Sequence, residues 1–167
     1  MRKFALEVIR HHRLVELYLA EALNVPWDKV HDEAEKWEHV LSEDLEDRID
    51  GILGYLTADP HGAPIPTRDG TIDDRSVFYQ RSELIVGTSA TITEVSDEDA
   101  DLLRYLGELK LYPKTEIEMV SISPIDGLMT IRPYLKVRNL DNPVIGEKVS
   151  NCISVTILQQ DKPGKES

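Results

Sequence analysis

The spacing of apolar residues changes period part-way along the chain, and that switch limits the folds open to it. From Lys3 to about Leu23, the residues Leu6, Ile9, Leu14, Leu17 and Leu19 recur at helical spacing, and Asn24 with Pro26 ends the run. Trp27, Asp28 and Lys29 open a second helix, in which Val30, Ala34, Trp37 and Leu41 form one apolar stripe. Ser42 is placed to N-cap a third helix that carries Leu45, Ile49, Ile52 and Leu53 and is weakened by Gly51 and Gly54. The stretch "TADPHGAPIPTRDGTIDD" breaks the pattern with proline, glycine and aspartate. After about residue 76 the runs "SATITEV", "TEIEMVSIS", "LMTIRP", "YLKV" and "SVTIL" are short, β-branched and partly alternating. Turn signals such as "SPIDG" and "LDNP" separate them, and one short helix, "DADLLRYLGEL", interrupts them.

The expected fold class is therefore α+β. A helical domain is expected over residues 1–58, a Pro/Gly-rich linker over 59–75 and a small SH3-like β-barrel over 76–160. A sandwich would need more strands. So short a helical unit buries little apolar surface by itself. Leu45, Ile49, Ile52 and Leu53 exceed what one short helix pair covers, so a symmetric homodimer with these side chains at its interface is expected.

At 167 residues, with 41% hydrophobic and 30% charged residues, the composition is that of a globular chain. No apolar run approaches the roughly 20 residues of a membrane helix, and charges break up the N-terminal pattern, so no membrane span or signal peptide is expected and the location is read as cytoplasmic. The single cysteine, Cys152, rules out an internal disulfide and is read as a small buried hydrophobe. With 31 acidic against 19 basic residues the net charge is −12, the wrong sign for a surface that must displace phosphate counterions. Direct duplex binding by this chain is not expected.

The stretch "VHDEAEKWEHV" places two histidines and several carboxylates on a helix that also has a buried stripe. At about 100° per residue, His31, Glu35, Glu38 and His39 occupy a sector of roughly 100° and can face one region of space. His12 and Glu16 form an i, i+4 pair on the first helix. Each residue alone has a plainer reading as a solvated or hydrogen-bonded surface side chain. Together, mixed imidazole and carboxylate donors on neighbouring helices suit a divalent first-row metal.

These residues also carry a resemblance. "HRLVELYL", "WDKVHDEAEKWEHVLSEDLEDRID" and "DPHGAPIP", followed by "VGTSATITEVSDEDADLLRYLGELKLYPKTEIEMV", resemble the diphtheria toxin repressor family of metal-dependent transcriptional regulators, the last stretch being similar to its FeoA-type SH3-like domain. The resemblance implies a primary metal site of Glu35, Glu38 and His39, and an ancillary site of His12, Glu16 and His31 with an acidic ligand from the last domain. Asp99 aligns best for that ligand, with Asp97 and Glu98 as neighbours, and Leu102 stands where an amide side chain is expected. It further implies a non-enzymatic homodimer controlling metal homeostasis. Such a dimer reaches DNA through an N-terminal winged helix-turn-helix, and no stretch of this sequence, which opens on "MRKFALEV", is expected to supply that reader.

Glutamate at position 35, where the iron-responsive branch has cysteine, implies Mn2+ first and Fe2+ second, while Zn2+, Co2+ or Ni2+ can bind such donors more tightly in vitro. Two other classes compete with this one. A ferritin-like di-metal enzyme requires Glu-x-x-His motifs that this sequence lacks. A reader-less metal-binding or protein-interaction adaptor of the FeoA/SH3 type is the alternative. His11 is read as solvated, His61 as a turn residue, and Arg13 as a partner either for an anion or for a surface carboxylate.

Overall fold

The computed structural model describes residues 2–37, 39–72, 84–134 and 141–158. The chain forms two compact units: Met1–Arg75 with Val95–Tyr105, and Ser76–Glu94 with Leu106–Ser167.

In the first unit, α1 spans Arg2–Glu21, α2 spans Val30–Trp37 and α3 spans Glu43–Leu53. α1 is central because two of its edges are apolar. Leu14 and Leu17 pack with Ile49 of α3 and with Ile65, while Val15 and Leu19 pack with Val30 and Ala34 of α2. Leu41 packs against both clusters. Positions 14 and 15 lie about 100° apart on a helix, so adjacent residues serve different neighbours. Acidic Asp32 and Glu33 in the first turn of α2 and Lys36 in its last turn complement the helix dipole. The Ser42 hydroxyl accepts from Leu45 N as the N-cap of α3, and Gly54, with φ 72°, closes the helix in the left-handed conformation that glycine adopts without penalty.

Several expectations need correction. Trp27 to Lys29 form a turn, so α2 begins only at Val30. Of the four apolar residues of α3 assigned to a dimer surface, Ile49 is buried and Leu53 packs partly against the same cluster. Leu45 and Ile52 remain exposed, together with Tyr55 and Leu56. Trp37, assigned to the buried stripe, is also exposed.

In the second unit the sheet has the order β4-β3-β2-β1-β5. Its strands are β1 (Ser89–Val95), β2 (Glu116–Ile122), β3 (Met129–Pro133), β4 (Val144–Ile145) and β5 (Ile153–Ile157). Antiparallel registers pair Ala90 with Ile117, Met119 with Ile131 and Met129 with Ile145, and these six side chains are all buried. A register shift between Met119 and Ser121 bends β2, as a small barrel requires. Helix α4 spans Ala100–Glu108, its residues up to Tyr105 belonging to the first unit, and the short α5 spans Glu147–Ser150. The α+β architecture and the SH3-like barrel follow the sequence reading. Of the run "YLKV", residues 135–137 lie outside the described residues. Cys152 is not a core residue: it sits half-exposed in the turn before β5, its thiol donating to Lys148 O at 3.3 Å.

Candidate metal centre

The segment between Thr57 and Pro66 builds one side of the centre. Ile65 N donates to Thr57 O at 2.8 Å and Asp59 N to Ala63 O at 3.0 Å, and Ala58 bridges Pro64, which makes a tight loop. Arg10 Nη1 donates to Pro66 O at 2.9 Å and Arg13 Nη1 to Pro64 O at 2.6 Å, fastening the loop to α1. Asp59, His61, Ala63 and Ile65 are buried within it.

Three donors expected from sequence converge on one point. His12 Nε2 lies 3.1 Å from Glu16 Oε1, His31 Nδ1 lies 3.0 Å from the same oxygen, and the two ring nitrogens are 3.1 Å apart. Donor atoms about 2.1 Å from a cation and at right angles to each other stand roughly 3 Å apart, so this triangle has the dimensions of a ligand set. Burial of Glu16 opposes its ionisation, but hydrogen bonds from His12 and His31 and the charges of His12 and His61 outweigh burial and hold its pKa below the ordinary value.

A second group, Glu16, His61 and Asp97, can also gather donors around one ion. Asp97 lies on the Val95–Tyr105 segment, which belongs to the first unit and is held there by Val95 N donating to His61 O at 2.8 Å. Asp97 Oδ2 stands 3.5 Å from His31 Nδ1. Asp99, the residue expected to supply the acidic ligand, instead caps α4: its Oδ1 accepts from Asp101 N at 2.9 Å and Leu102 N at 3.2 Å. His61, expected to be a turn residue, is 1% exposed, with Nε2 2.7 Å from Trp27 O. Since a carbonyl only accepts, Nε2 carries a proton, which in the neutral ring leaves the lone pair on Nδ1. Nδ1 has no hydrogen-bond partner, and the same holds for the buried Glu16 Oε2 and Asp59 Oδ2.

Sequence reasoning did not single out Asp59 and read His61 as a turn residue, yet both are buried beside the centre. The available signal was an Asp-Pro-His triplet, whose proline fixes a loop able to aim two ligand-type side chains inward. The primary set fares differently. Glu35 is exposed, with Oε1 3.7 Å from His31 Nε2; His39 sits exposed in the turn after α2; and Glu38 lies outside the described residues. His11 is not solvated as expected, because its Nε2 lies 2.9 Å from Glu46 Oε2. Arg13 faces a carboxylate, with Nε 3.7 Å from Asp59 Oδ2.

Asp59 has a titration consequence of its own. Burial, then the neighbouring charge of Glu16, pushes its pKa from 3.8 up to about 6. A carboxyl with a raised native pKa contributes stability that is full below its unfolded value and lost as pH rises through the native one. At neutral pH the ionised Asp59 is therefore a liability in the metal-free chain. Asp59→Asn is expected to stabilise that chain by up to about 3 kcal/mol at pH 7 and hardly at all near about pH 3. Urea unfolding at the two pH values checks this; an equal effect at both would exclude ionisation as the cause.

Comparison with known proteins places this geometry. Residues 2–67 match the iron dependent repressor, metal binding and dimerisation domain, and residues 82–156 match the FeoA domain. The chain is 34% identical over 146 residues to the iron-dependent repressor IdeR of Mycobacterium leprae, a match covering 79% of this chain and 62% of that protein. It is 43% identical over 68 residues to the diphtheria toxin repressor of Corynebacterium jeikeium, covering 41% of this chain and 28% of that protein. It also resembles the solved structure of a manganese-dependent transcriptional repressor in complex with manganese, with TM-score 0.86 and 32% identity over 94% of this chain and 72% of that one. The chain thus spans about 62% of the length of the IdeR relative it matches. Two family domains in succession, together with these relatives, show that the chain belongs to the diphtheria toxin repressor family of metal-dependent transcriptional regulators.

Proposed function

We propose that this chain is the metal-sensing and dimerising part of a metal-dependent transcriptional repressor. The observation that carries the reading is the convergence of His12, Glu16 and His31, each contact 3.0 or 3.1 Å long, about a carboxylate that is fully buried. A buried carboxylate between two imidazoles is a good donor set for a divalent first-row cation. The donors are oxygen and nitrogen without sulfur, which fits Mn2+ first and Fe2+ second.

Exposed Leu45, Ile52, Tyr55 and Leu56 supply a self-complementary apolar face for a homodimer. With net charge −12, these residues do not themselves grip a duplex. Metal acts through the equilibrium between conformations, and whatever ion favours the DNA-competent dimer is in turn bound more tightly by it. Glu35, Glu38 and His39 are assigned to a separate, primary site, of which Glu35 and His39 are exposed.

Calorimetric titration with Mn2+, paired with sedimentation at micromolar protein, tests the reading. Saturable binding by a dimer is expected, and a monomer that takes up no Mn2+ would overturn it. Metal choice is tested separately at Glu35: Glu35→Cys adds a soft donor and is expected to raise the preference for Zn2+ and Fe2+ over Mn2+ in competitive titration. An unchanged ranking would remove Glu35 from the selectivity argument.

A further inference from the structure

We propose that Arg10 is a positioning residue that ties loop 57–66 to α3, so that pairing of two chains through α3 presets the loop in the absence of metal. The inference rests on the dimer reading above and adds how the dimer face acts on the rest of the domain. Its basis is the run "RHHR" at residues 10–13, four consecutive positions of α1 spaced about 100° apart. One helical turn thereby addresses three neighbours. Arg10 donates to Glu46, to Asp50 Oδ2 at 2.6 Å and to Pro66 O at 2.9 Å, and His11 Nε2 lies 2.9 Å from Glu46 Oε2. His12 turns to His31 of α2, and Arg13 donates to Pro64 O at 2.6 Å.

Arg10 joins α3 and the loop through one rigid group. A guanidinium holds its N–H donors in a fixed plane, so a shift of α3 against the loop must either break a charge-assisted bond or carry the loop along. Arg10 and Glu46 are buried, and a polar group that loses its partner there is not rescued by water. Ile65 also shares an apolar cluster with Ile49 of α3, but such a contact is non-directional and tolerates sliding. The stretch from Asp59 to Ala63 is held by polar bonds: Asp59 N donates to Ala63 O at 3.0 Å, and Asp59 Oδ1 accepts from His61 N at 2.8 Å and Ala63 N at 3.0 Å. On α3 the two roles lie on different faces. Leu45 and Ile52, both exposed, fall within about 20° of each other, while Glu46 and Asp50 lie about 100° and 140° round from Leu45. A second chain closing over Leu45 and Ile52 leaves the Arg10 bonds in place and holds α3 still. The loop wall that carries Asp59 and His61 is then fixed through Arg10.

Amide hydrogen exchange of the full chain, freed of metal by EDTA, tests the proposal at protein concentrations below and above the dimerisation midpoint found by sedimentation. The amides of Asp59, Ala63 and Ile65 should exchange at least about 5-fold more slowly in the dimer, the lower end of ordinary coupling between sites. In Arg10→Lys the ratio should fall below about 2, because an ammonium cannot span the same three acceptors. Asp50→Asn, which removes a charged acceptor at a partly exposed position, should lower the ratio as well. Equal exchange in wild-type monomer and dimer would overturn the proposal, whether or not either variant folds. Retention of the full ratio in both variants would overturn the role of Arg10. Titration of the same samples with MnCl2 separates the readings: Mn2+ uptake with concentration-independent exchange overturns the Arg10 link and leaves metal sensing standing. Slowed exchange in a chain that takes up no Mn2+ does the reverse. A chain that stays monomeric at every concentration overturns the dimer reading and the link together.

Discussion

Arg10→Met is expected to destabilise the chain by about 3–5 kcal/mol, the range for removing one partner of a buried ion network. Arg10 is only 8% exposed, and its guanidinium serves three acceptors at once: Glu46, Asp50 Oδ2 at 2.6 Å and Pro66 O at 2.9 Å. Burial opposes the charge, but the hydrogen bonds to Asp50 and Glu46 and their charges outweigh it, so the pKa moves up and Arg10 stays cationic. Methionine fills a similar volume but leaves Glu46, itself 4% exposed, with His11 as its remaining side-chain partner, and leaves the Pro66 carbonyl without its donor. Arg10→Lys keeps the charge but cannot reach three acceptors with a planar fork, so it should fall between the two. Urea unfolding at fixed protein concentration measures both, the fixed concentration being needed because a dimer couples stability to mass action. A loss below about 1 kcal/mol for Arg10→Met would mean that the network contributes specificity rather than stability. The loop carrying Asp59 and His61 should loosen in the same variant, because Arg10 is one of two arginines fastening it to α1.

What the sequence disclosed depended on whether a signal was local. Ser42 as an N-cap, α1 with its helical spacing, and the strand run "SATITEV" depend on residues a few positions apart, and the structure places them as read. His12 and Glu16 on one helix, with His31 on the next, were legible for the same reason once two adjacent helices were expected to face each other. The side of α3 that turns inward was not legible, because Ile49 and Ile52 are equally apolar and only the position of Ile65 and α1 distinguishes them. β4, with two residues, and α5, with four, are too short to leave a period. Asp59 and His61 were hidden by composition: proline and glycine mark a turn whether it lies on the surface or folds inward, and the arginines that pull this one inward lie about fifty positions away in the sequence. Asp97 and Asp99 differ by two residues, and what separates them is tertiary: Asp99 Oδ1 caps α4, while Asp97 Oδ2 stands 3.5 Å from His31 Nδ1.

Glu16→Gln is expected to abolish most of the stabilisation that metal confers. An ion bound only by the native chain stabilises it by RT ln(1 + [L]/Kd), about 2.7 kcal/mol when free Mn2+ stands at 100 times Kd. Glutamine presents one neutral oxygen where Glu16 presents two charged ones, and Glu16 is the member shared by both candidate groups. If affinity falls only 100-fold, the increment at the same Mn2+ concentration drops to about 0.4 kcal/mol.

The increment is the quantity to compare, because the metal-free proteins also differ. A carboxylate whose native pKa is lowered contributes stability that is present above its unfolded value and lost as pH falls through the native one, so Glu16→Gln should weaken the metal-free chain at neutral pH, the opposite sign to Asp59→Asn. Differential scanning calorimetry with and without MnCl2 separates the two effects. An increment in Glu16→Gln equal to that of the wild type would place the dominant ion elsewhere in the chain, with Glu35, Glu38 and His39 as the first residues to test.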